Sequence, residues 1–329
     1  QAEDCIRDSV ASRGLGDVYK RQVQQDAEVV YVVDHNLDKA KAAAQSLGIN
    51  EYGTDYSEII SSDDVDAVDI CVTANEHVDV ATFAAKSGKH ILLEKPISTT
   101  LTDADLIIET AARNDVKLML GHTHHFYDYG ISAKEIIDSG EIGNPVYIRH
   151  VAGGGFWPQD WTGNRISPER TGGNVVDNGV HIVDMINWWM DSKPVSVYAQ
   201  ALNPTSSHID MNQYFLMTLK YNNDGIGVVD MSRANMPTSN EFSQITILGT
   251  EGEIRTGSDV NTQWVYKEDG LLLDNGGFKD GFNREINAFV KSIIEDTDPP
   301  VGGLHSKIAL AACLAAEISI KTGSVIAIK

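Results

Sequence analysis

Apolar positions in this chain fall into short β-branched or Leu-rich runs, separated by Ala-rich stretches of helical period. Glu28-Val-Val-Tyr-Val-Val-Asp34 is a near-continuous apolar run, the pattern of a parallel strand buried on both faces. Leu37–Leu47 has helical spacing and stops at Gly48, a residue at ease in the left-handed conformation of a helix end. The alternation predicts further helices over Tyr56–Ser61, His77–Ser87 and Ala104–Asn114, and strands over Ala67–Val72, His90–Leu93 and Lys117–Leu120. Strands alternating with helices of about ten residues build βαβ units around a parallel sheet. Residues 23–121 are therefore expected to form one doubly wound α/β domain.

Beyond residue 121 the pattern changes. A helix is predicted over Ile131–Ser139, a strand over Val146–Val151, and a Gly-rich entry into a helix within Gly172–Met190. Longer alternating runs follow at Ser196–Ala201, Tyr214–Tyr221, Gly225–Met231, Phe242–Gly249 and Thr262–Tyr266. Turn signals such as Asn223-Asp224-Gly225 and Glu268-Asp269-Gly270 join them, which predicts an antiparallel sheet. Helices over Gly281–Glu295 and His305–Thr322 close the chain. Residues 122–329 thus read as a second, α+β domain. Gln1–Gln22 shows neither period and is expected to be an atypical or foreign tract.

The 329 residues carry 26 basic and 47 acidic side chains, a formal charge of −21. That charge repels phosphate backbones and anionic lipid, which argues against nucleic-acid or membrane partners. The longest apolar-rich stretch, Ile308–Ile320, contains Glu317 and reads as a packed helix. Cys5, Cys71 and Cys313 are too few and too scattered for a disulfide framework or zinc cluster, so a reduced, cytoplasmic setting is expected.

Three features carry chemistry. Asp34 ends its predicted strand, where a carboxylate can accept both hydroxyls of an adenosine ribose and repel a 2′-phosphate; a capping Asp in a turn fits the same position. Glu94-Lys95-Pro96 follows a strand directly, so Lys95 projects into the crevice at the carboxyl edge, and Pro96 suits a tight, cis turn. Asp177, His181 and Asp184 stand at i, i+4 and i+7, one face of a single helix, and His is the side chain suited to taking a hydroxyl proton near neutral pH. The same three residues could also hold a divalent ion, as could His122-Thr123-His124-His125, but no metal is expected. Gly14-Leu15-Gly16-Asp17-Val18-Tyr19 is the only partial match to a Gly-rich phosphate loop, and it lacks both the third glycine and a preceding strand.

In these motifs, together with Thr73-Ala74-Asn75-Glu76-His77 and Gly140-Glu141-Ile142-Gly143, the chain from about Val23 onward resembles the Gfo/Idh/MocA oxidoreductases. The resemblance implies a Rossmann domain followed by an α+β domain with a large, mostly antiparallel sheet. It implies NAD as cofactor, with NADP disfavoured by Asp34, and a sugar or polyol whose secondary hydroxyl is oxidised or whose ketone is reduced. By resemblance Lys95, Asp177 and His181 are catalytic: His181 removes the hydroxyl proton, Lys95 contacts substrate and nicotinamide ribose, and Asp177 holds a neighbouring hydroxyl. Asp34, Thr73, Asn75, His77 and Glu94 would serve the cofactor, and His124, Trp161, Arg165 and Asn178 the substrate. Asp184 is expected to cap or orient its helix, and Phe156 and Trp157 either to flank the sugar or to anchor their loop in the core. The family's first strand, Gly-rich loop and helix have no counterpart in Gln1–Gln22, so weak NAD binding is expected of this chain. Two rival readings are a redox-assisted glycosidase on the same scaffold and a non-catalytic sugar-binding relative. A homodimer or homotetramer through the second-domain sheet is also expected.

Overall fold

The computed structural model describes residues 26–155, 167–204, 211–235, 242–257, 263–267, 270–274 and 281–329. The chain divides into two compact units, one holding Gln1–Gly121 and Phe282–Leu304, the other His122–Gly281 and His305–Lys329. The sequence reading assigns 122–329 whole to the second domain. Phe282–Leu304 instead returns to the first, where Val301 accepts from the Leu120 amide (2.9 Å) and Asp296 pairs with Lys117 (2.8 Å).

The first unit is a run of βα elements: β1 (Val32–Val33), α1 (Leu37–Leu47), β2 (Tyr52–Gly53), α2 (Tyr56–Ile60), β3 (Ala67–Ile70), α3 (His77–Lys86), β4 (His90–Glu94), α4 (Leu101–Arg113) and β5 (Leu118–Gly121). All strand pairings here are parallel: β1 with β2, and β3–β4–β5. Among the described residues these two sheets are not joined. Helix ends follow their side chains. Asn36 caps α1 by accepting from the Asp38 and Lys39 amides, Gly48 closes it at φ 69°, and Thr100 caps α4 through the Asp103 amide. Ile91, Leu93, Met119 and Leu120 are wholly buried, as a sheet covered on both faces requires.

The run Glu28–Asp34 departs from its prediction. Only Val32 and Val33 are paired, and Val30 and Val33 are 41% and 36% exposed rather than buried. Among the described residues β1 has a ladder partner on one edge only, and that partner is itself two residues long. β-branched composition alone does not hold a strand without that partner and without cover.

The second unit begins with a 3₁₀ turn (Thr123–Phe126) and continues through α5 (Asp128–Asp138), β6 (Pro145–Gly155), α6 (Pro168–Thr171), α7 (Gly173–Asp177), α8 (Gly179–Met190), β7 (Pro194–Leu202), β8 (Tyr214–Tyr221), β9 (Ile226–Asn235), β10 (Phe242–Gly249), β11 (Gly252–Gly257), β12 (Gln263–Lys267), β13 (Gly270–Asp274) and β14 (Ile326–Ala327). The strands form one nine-stranded sheet in the order β13-β12-β11-β10-β6-β9-β8-β7-β14, antiparallel except for β6 beside β9. β11 and β13 are unpredicted: Glu253 and Arg255 break the apolar signal of the first, and the second is five residues long. Phe215, Met217, Leu219 and Tyr221 alternate inward along β8, beneath α8. The helix Gly303–Thr322 is long and apolar enough to cross a bilayer, yet Ala309, Leu310, Ala312, Cys313 and Ala316 on it are wholly buried, as in a core helix.

Candidate functional site

In the first unit the predicted cofactor residues gather at the carboxyl edge of the parallel strands. The Asp34 amide bonds to Gly53 O (3.2 Å), and Asp34 Oδ1 accepts from the Asn36 amide (2.8 Å). Among the described residues Oδ2 makes no hydrogen bond, which leaves it able to accept from an incoming hydroxyl. Two strands along, the Thr73 hydroxyl lies 2.6 Å from Glu76 Oε2 and 2.8 Å from Asn75 Oδ1. Glu76 Oε1 reaches His35 Nε2 at 3.3 Å, which ties the loop after β1 to the loop after β3. Asp34, Thr73 and Asn75 therefore share one edge, and that donor and acceptor set fits the ribose end of a dinucleotide.

Glu94 ends β4 and turns its carboxylate back to the Lys95 amide (3.2 Å). The Lys95–Pro96 bond is cis, as Glu-Lys-Pro suggests. His77 opens α3 at the same edge, but it is buried there rather than open to a cofactor. It is 1% exposed, with Nδ1 2.9 Å from Pro96 O and Nε2 3.1 Å from Val72 O. It thus links the segment after β3 to the segment that carries Lys95, and is spent on backbone. Burial pushes its pKa down to about 4 against the hydrogen bonds to Val72, Pro96 and Ile97, and the Lys95 charge adds to the depression. A neutral ring donates to only one of the two carbonyls.

In the second unit the predicted single helix is broken. Gly172, between α6 and α7, and Gly173, the first residue of α7, are in a left-handed conformation (φ 81° and 79°), and α7 ends at Asp177, with Asn178 between it and α8. Asp177 thus closes one helix, while His181 and Asp184 lie one turn apart on the next. A Cβ on Gly179 would meet Cys313 Sγ and Met217 Cε at 3.1 Å, so the start of α8 lies flush on the sheet and on Gly303–Thr322. That close approach sets the height at which His181 emerges, half-buried.

His181 is surrounded by imidazoles. Its ring is 5.0 Å from that of His124 and 6.1 Å, edge-on, from that of His122. His124 Nδ1 makes a short hydrogen bond with the Tyr129 hydroxyl, and burial holds that phenol protonated. His122 Nε2 meets Ser306 Oγ at 2.9 Å, while its Nδ1 lies 3.5 Å from Asp184 Oδ2. The same oxygen takes His125 Nε2 at 2.5 Å. Asp184 is 2% exposed and sits inside α8, so it caps nothing: its carboxylate answers histidines. Burial works to raise its pKa, but His122, His125 and His305 outweigh that and hold it at about 2.

Asn178 is buried, donating from Nδ2 to Asn174 Oδ1 (2.7 Å) and accepting from Arg233 at 3.4 Å. Its side chain serves the α7–α8 junction. Trp161 and Arg165, with Phe156 and Trp157, lie outside the described residues. The partners Ser306, Tyr129 and Arg233 went unseen in the sequence, because each meets its histidine or asparagine through tertiary packing. The cluster His122–His125 was visible, but its link to Asp184 spans 59 residues.

Residues 14–122 match an oxidoreductase family with an NAD-binding Rossmann fold, and residues 131–255 match the GFO/IDH/MocA C-terminal domain. The chain is 26% identical to a myo-inositol 2-dehydrogenase of Thermotoga maritima over 93% of both chains. It is 25% identical to scyllo-inositol 2-dehydrogenase (NAD(+)) of Bacillus subtilis, over 90% of this chain and 87% of that one. In fold it is similar to a levoglucosan dehydrogenase solved with NADH and levoglucosan, with a TM-score of 0.86 at 20% identity over 97% and 96% of the two chains.

Proposed function

The chain belongs to the Gfo/Idh/MocA family, with an NAD-binding Rossmann domain and sugar and polyol dehydrogenases among its relatives, and from that premise we propose that it oxidises a secondary hydroxyl of a sugar or polyol, or reduces the corresponding ketone. An inositol-like ring is the first substrate class to try, because two of the relatives are inositol dehydrogenases. Bound NAD supplies the hydride acceptor or donor. The chain's own residues handle binding and the proton. His181 takes the hydroxyl proton, Asp177 orients a neighbouring hydroxyl, and Lys95 hydrogen-bonds the reacting oxygen and steadies charge as it develops there. Asp34 favours NAD over NADP, since a 2′-phosphate would meet its carboxylate.

One observation carries the reading. His181 is half-buried between two imidazoles, each tethered by a buried hydroxyl, a setting suited to a proton acceptor held in one orientation. The test is a screen of inositols, sugars and anhydrosugars for NADH formation. Lys95→Ala and His181→Ala should each lower kcat about 10²–10⁴-fold. Activity surviving both would refute the assignment, and turnover without net NADH would instead support a redox-assisted glycosidase. Tyr198, Ile226 and Tyr266 are exposed on the sheet of the second unit and support a dimer or tetramer through that sheet. A monomer by light scattering would refute that part.

A further inference from the structure

We propose that Tyr129 is a positioning residue for His124: by donating to Nδ1 it leaves the ring's hydrogen on Nε2, so that His124 presents a donor to a second substrate oxygen, beside the hydroxyl that His181 deprotonates.

The start of α5 is clamped where this bond requires it. A Cβ on Gly130 would collide with the His124 carbonyl oxygen and lie 3.1 Å from Met185 Cε, so glycine lets that turn lie flush on both the 3₁₀ turn and α8. Trp189 Nε1, also on α8, donates to Gly130 O (3.3 Å), and the Trp189 ring stands edge-on to Tyr129 with centres 6.3 Å apart. Tyr127 lies nearly parallel to Tyr129, at 18°. Tyr129, 1% exposed, is thus fixed against the same helix that carries His181.

The direction of the Tyr129–His124 bond follows from acidity. Burial raises the phenol well above its ordinary pKa, so it keeps its proton. A phenol O–H is a better donor than an imidazole N–H, and an imidazole lone pair a better acceptor than a phenol oxygen, whose electrons are drawn into its ring. The hydroxyl therefore donates to Nδ1, and the neutral imidazole carries its hydrogen on Nε2. In a five-membered ring the edge opposite Nδ1 is Cδ2–Nε2. His124 is half-buried while Tyr129 is buried, which makes that edge the exposed one. The His181 ring is centred 5.0 Å away. Tyr127 stands edge-on at 5.6 Å, and His150 acts on His124 electrostatically from β6.

The substrate chemistry calls for such a donor. His181 and Asp177, the second unit's assigned groups, both accept, whereas a sugar or polyol oxygen beside the reacting one also has lone pairs to satisfy. His122 has Nε2 on Ser306 and Nδ1 3.5 Å from Asp184, and Asn178 is engaged by Asn174 and Arg233. An acceptor and a donor on neighbouring rings suit a vicinal diol or an α-hydroxy ketone.

This role rests on His181 as proton acceptor, so the test reads the two separately. In protein carrying ¹⁵N-labelled histidine at about pH 8, where imidazole is neutral, His124 Nδ1 should resonate as a bare nitrogen and Nε2 as a protonated one. The signals are assigned by their loss in His124→Gln or His124→Asn. Tyr129→Phe keeps the packed ring but not the donor, and should bring the two nitrogens toward a common value as the tautomers mix. If that variant does not fold, the parent spectrum decides alone. With myo-inositol, or the sugar turned over fastest where the enzyme rejects it, His124→Ala should raise KM about tenfold and change kcat less than about threefold. His124→Gln, whose amide nitrogen stands in for Nε2, should recover most of that loss. A parent ring protonated on Nδ1 or mixed, an unmoved tautomer in folded Tyr129→Phe, or an unchanged KM in His124→Ala overturns the proposal. An Nε2–H ring in a protein without dehydrogenase activity upholds the role of Tyr129 and refutes the assigned reaction instead.

Discussion

Lowering the pH from 7 to 5 should cost the first unit about 2 kcal/mol through His77 alone. Burial pushes this pKa from 6.5 down to about 4. Because the folded pKa lies below the unfolded one, the unfolded chain binds the extra proton between those values. Stability is therefore complete above about pH 6.5 and is lost as the pH falls toward 4, by about 1.4 kcal/mol per unit. The full loss is about 3 kcal/mol, of which about 2 is reached by pH 5. His77→Gln keeps an amide donor for one of the two carbonyls and cannot titrate there, so it should cost about 1 kcal/mol at pH 7 but flatten the acid slope. The five tryptophans, at 157, 161, 188, 189 and 264, all lie in the second unit, so their fluorescence does not report on the first. Amide hydrogen exchange of β3, β4 and β5 at pH 7 and 5 does. If those amides lose the same protection in His77→Gln as in the parent protein, His77 is not the titrating group.

The second unit should show its own acid slope through His150, which burial holds at about 3, so urea unfolding followed by tryptophan fluorescence should lose about 2 kcal/mol between pH 7 and 5, and His150→Gln should abolish that loss. Asp184 works in a lower window: its folded pKa of about 2 lies below the unfolded value, so its contribution is present above about pH 4 and disappears as the pH falls toward 2, a loss that Asp184→Asn should not show in acid titrations. Gly179→Ala places a methyl 3.1 Å from Cys313 Sγ and Met217 Cε and should cost about 1–3 kcal/mol in the same fluorescence assay. Asp34→Ala should raise the KM for NAD about tenfold and narrow the preference over NADP, whereas unchanged selectivity would leave Asp34 as a turn residue.

Local periodicity carried most of the fold. Leu37–Leu47 and Tyr214–Tyr221 occur over the predicted residues, since a helix with its caps and a half-buried strand are written in neighbouring positions. The failures are non-local. The Val-rich run before Asp34 needs flanking strands that its own residues cannot specify, and Phe282–Leu304 joins the first unit through pairings such as Lys117–Asp296. The site shows the same division. Glu94-Lys95-Pro96 and His181 were legible because a strand end and a helix face project side chains in predictable directions. The use of His77 on two carbonyls was not, because it depends on which backbone oxygens the turns after β3 and β4 leave nearby.

The way Asp184 is neutralised has a consequence for how this protein responds to pH. A buried carboxylate answered by arginine keeps its partner charged throughout the working range, since a guanidinium does not titrate there. Here the close partners are His122 and His125, side chains of the one type whose charge changes near neutrality. The chain carries 30 Asp and 17 Glu against 26 Lys and Arg, and the nearest answer to this buried acid is nevertheless imidazole. The carboxylate is thus kept ionised against its burial by imidazoles, with no permanent cation beside it. Replacing His125 with arginine would test this: a fixed positive charge beside Asp184 should hold the carboxylate ionised to lower pH and extend the acid limit of the second unit's stability in urea unfolding. An unchanged acid limit would mean that the group beside Asp184 does not set its ionisation.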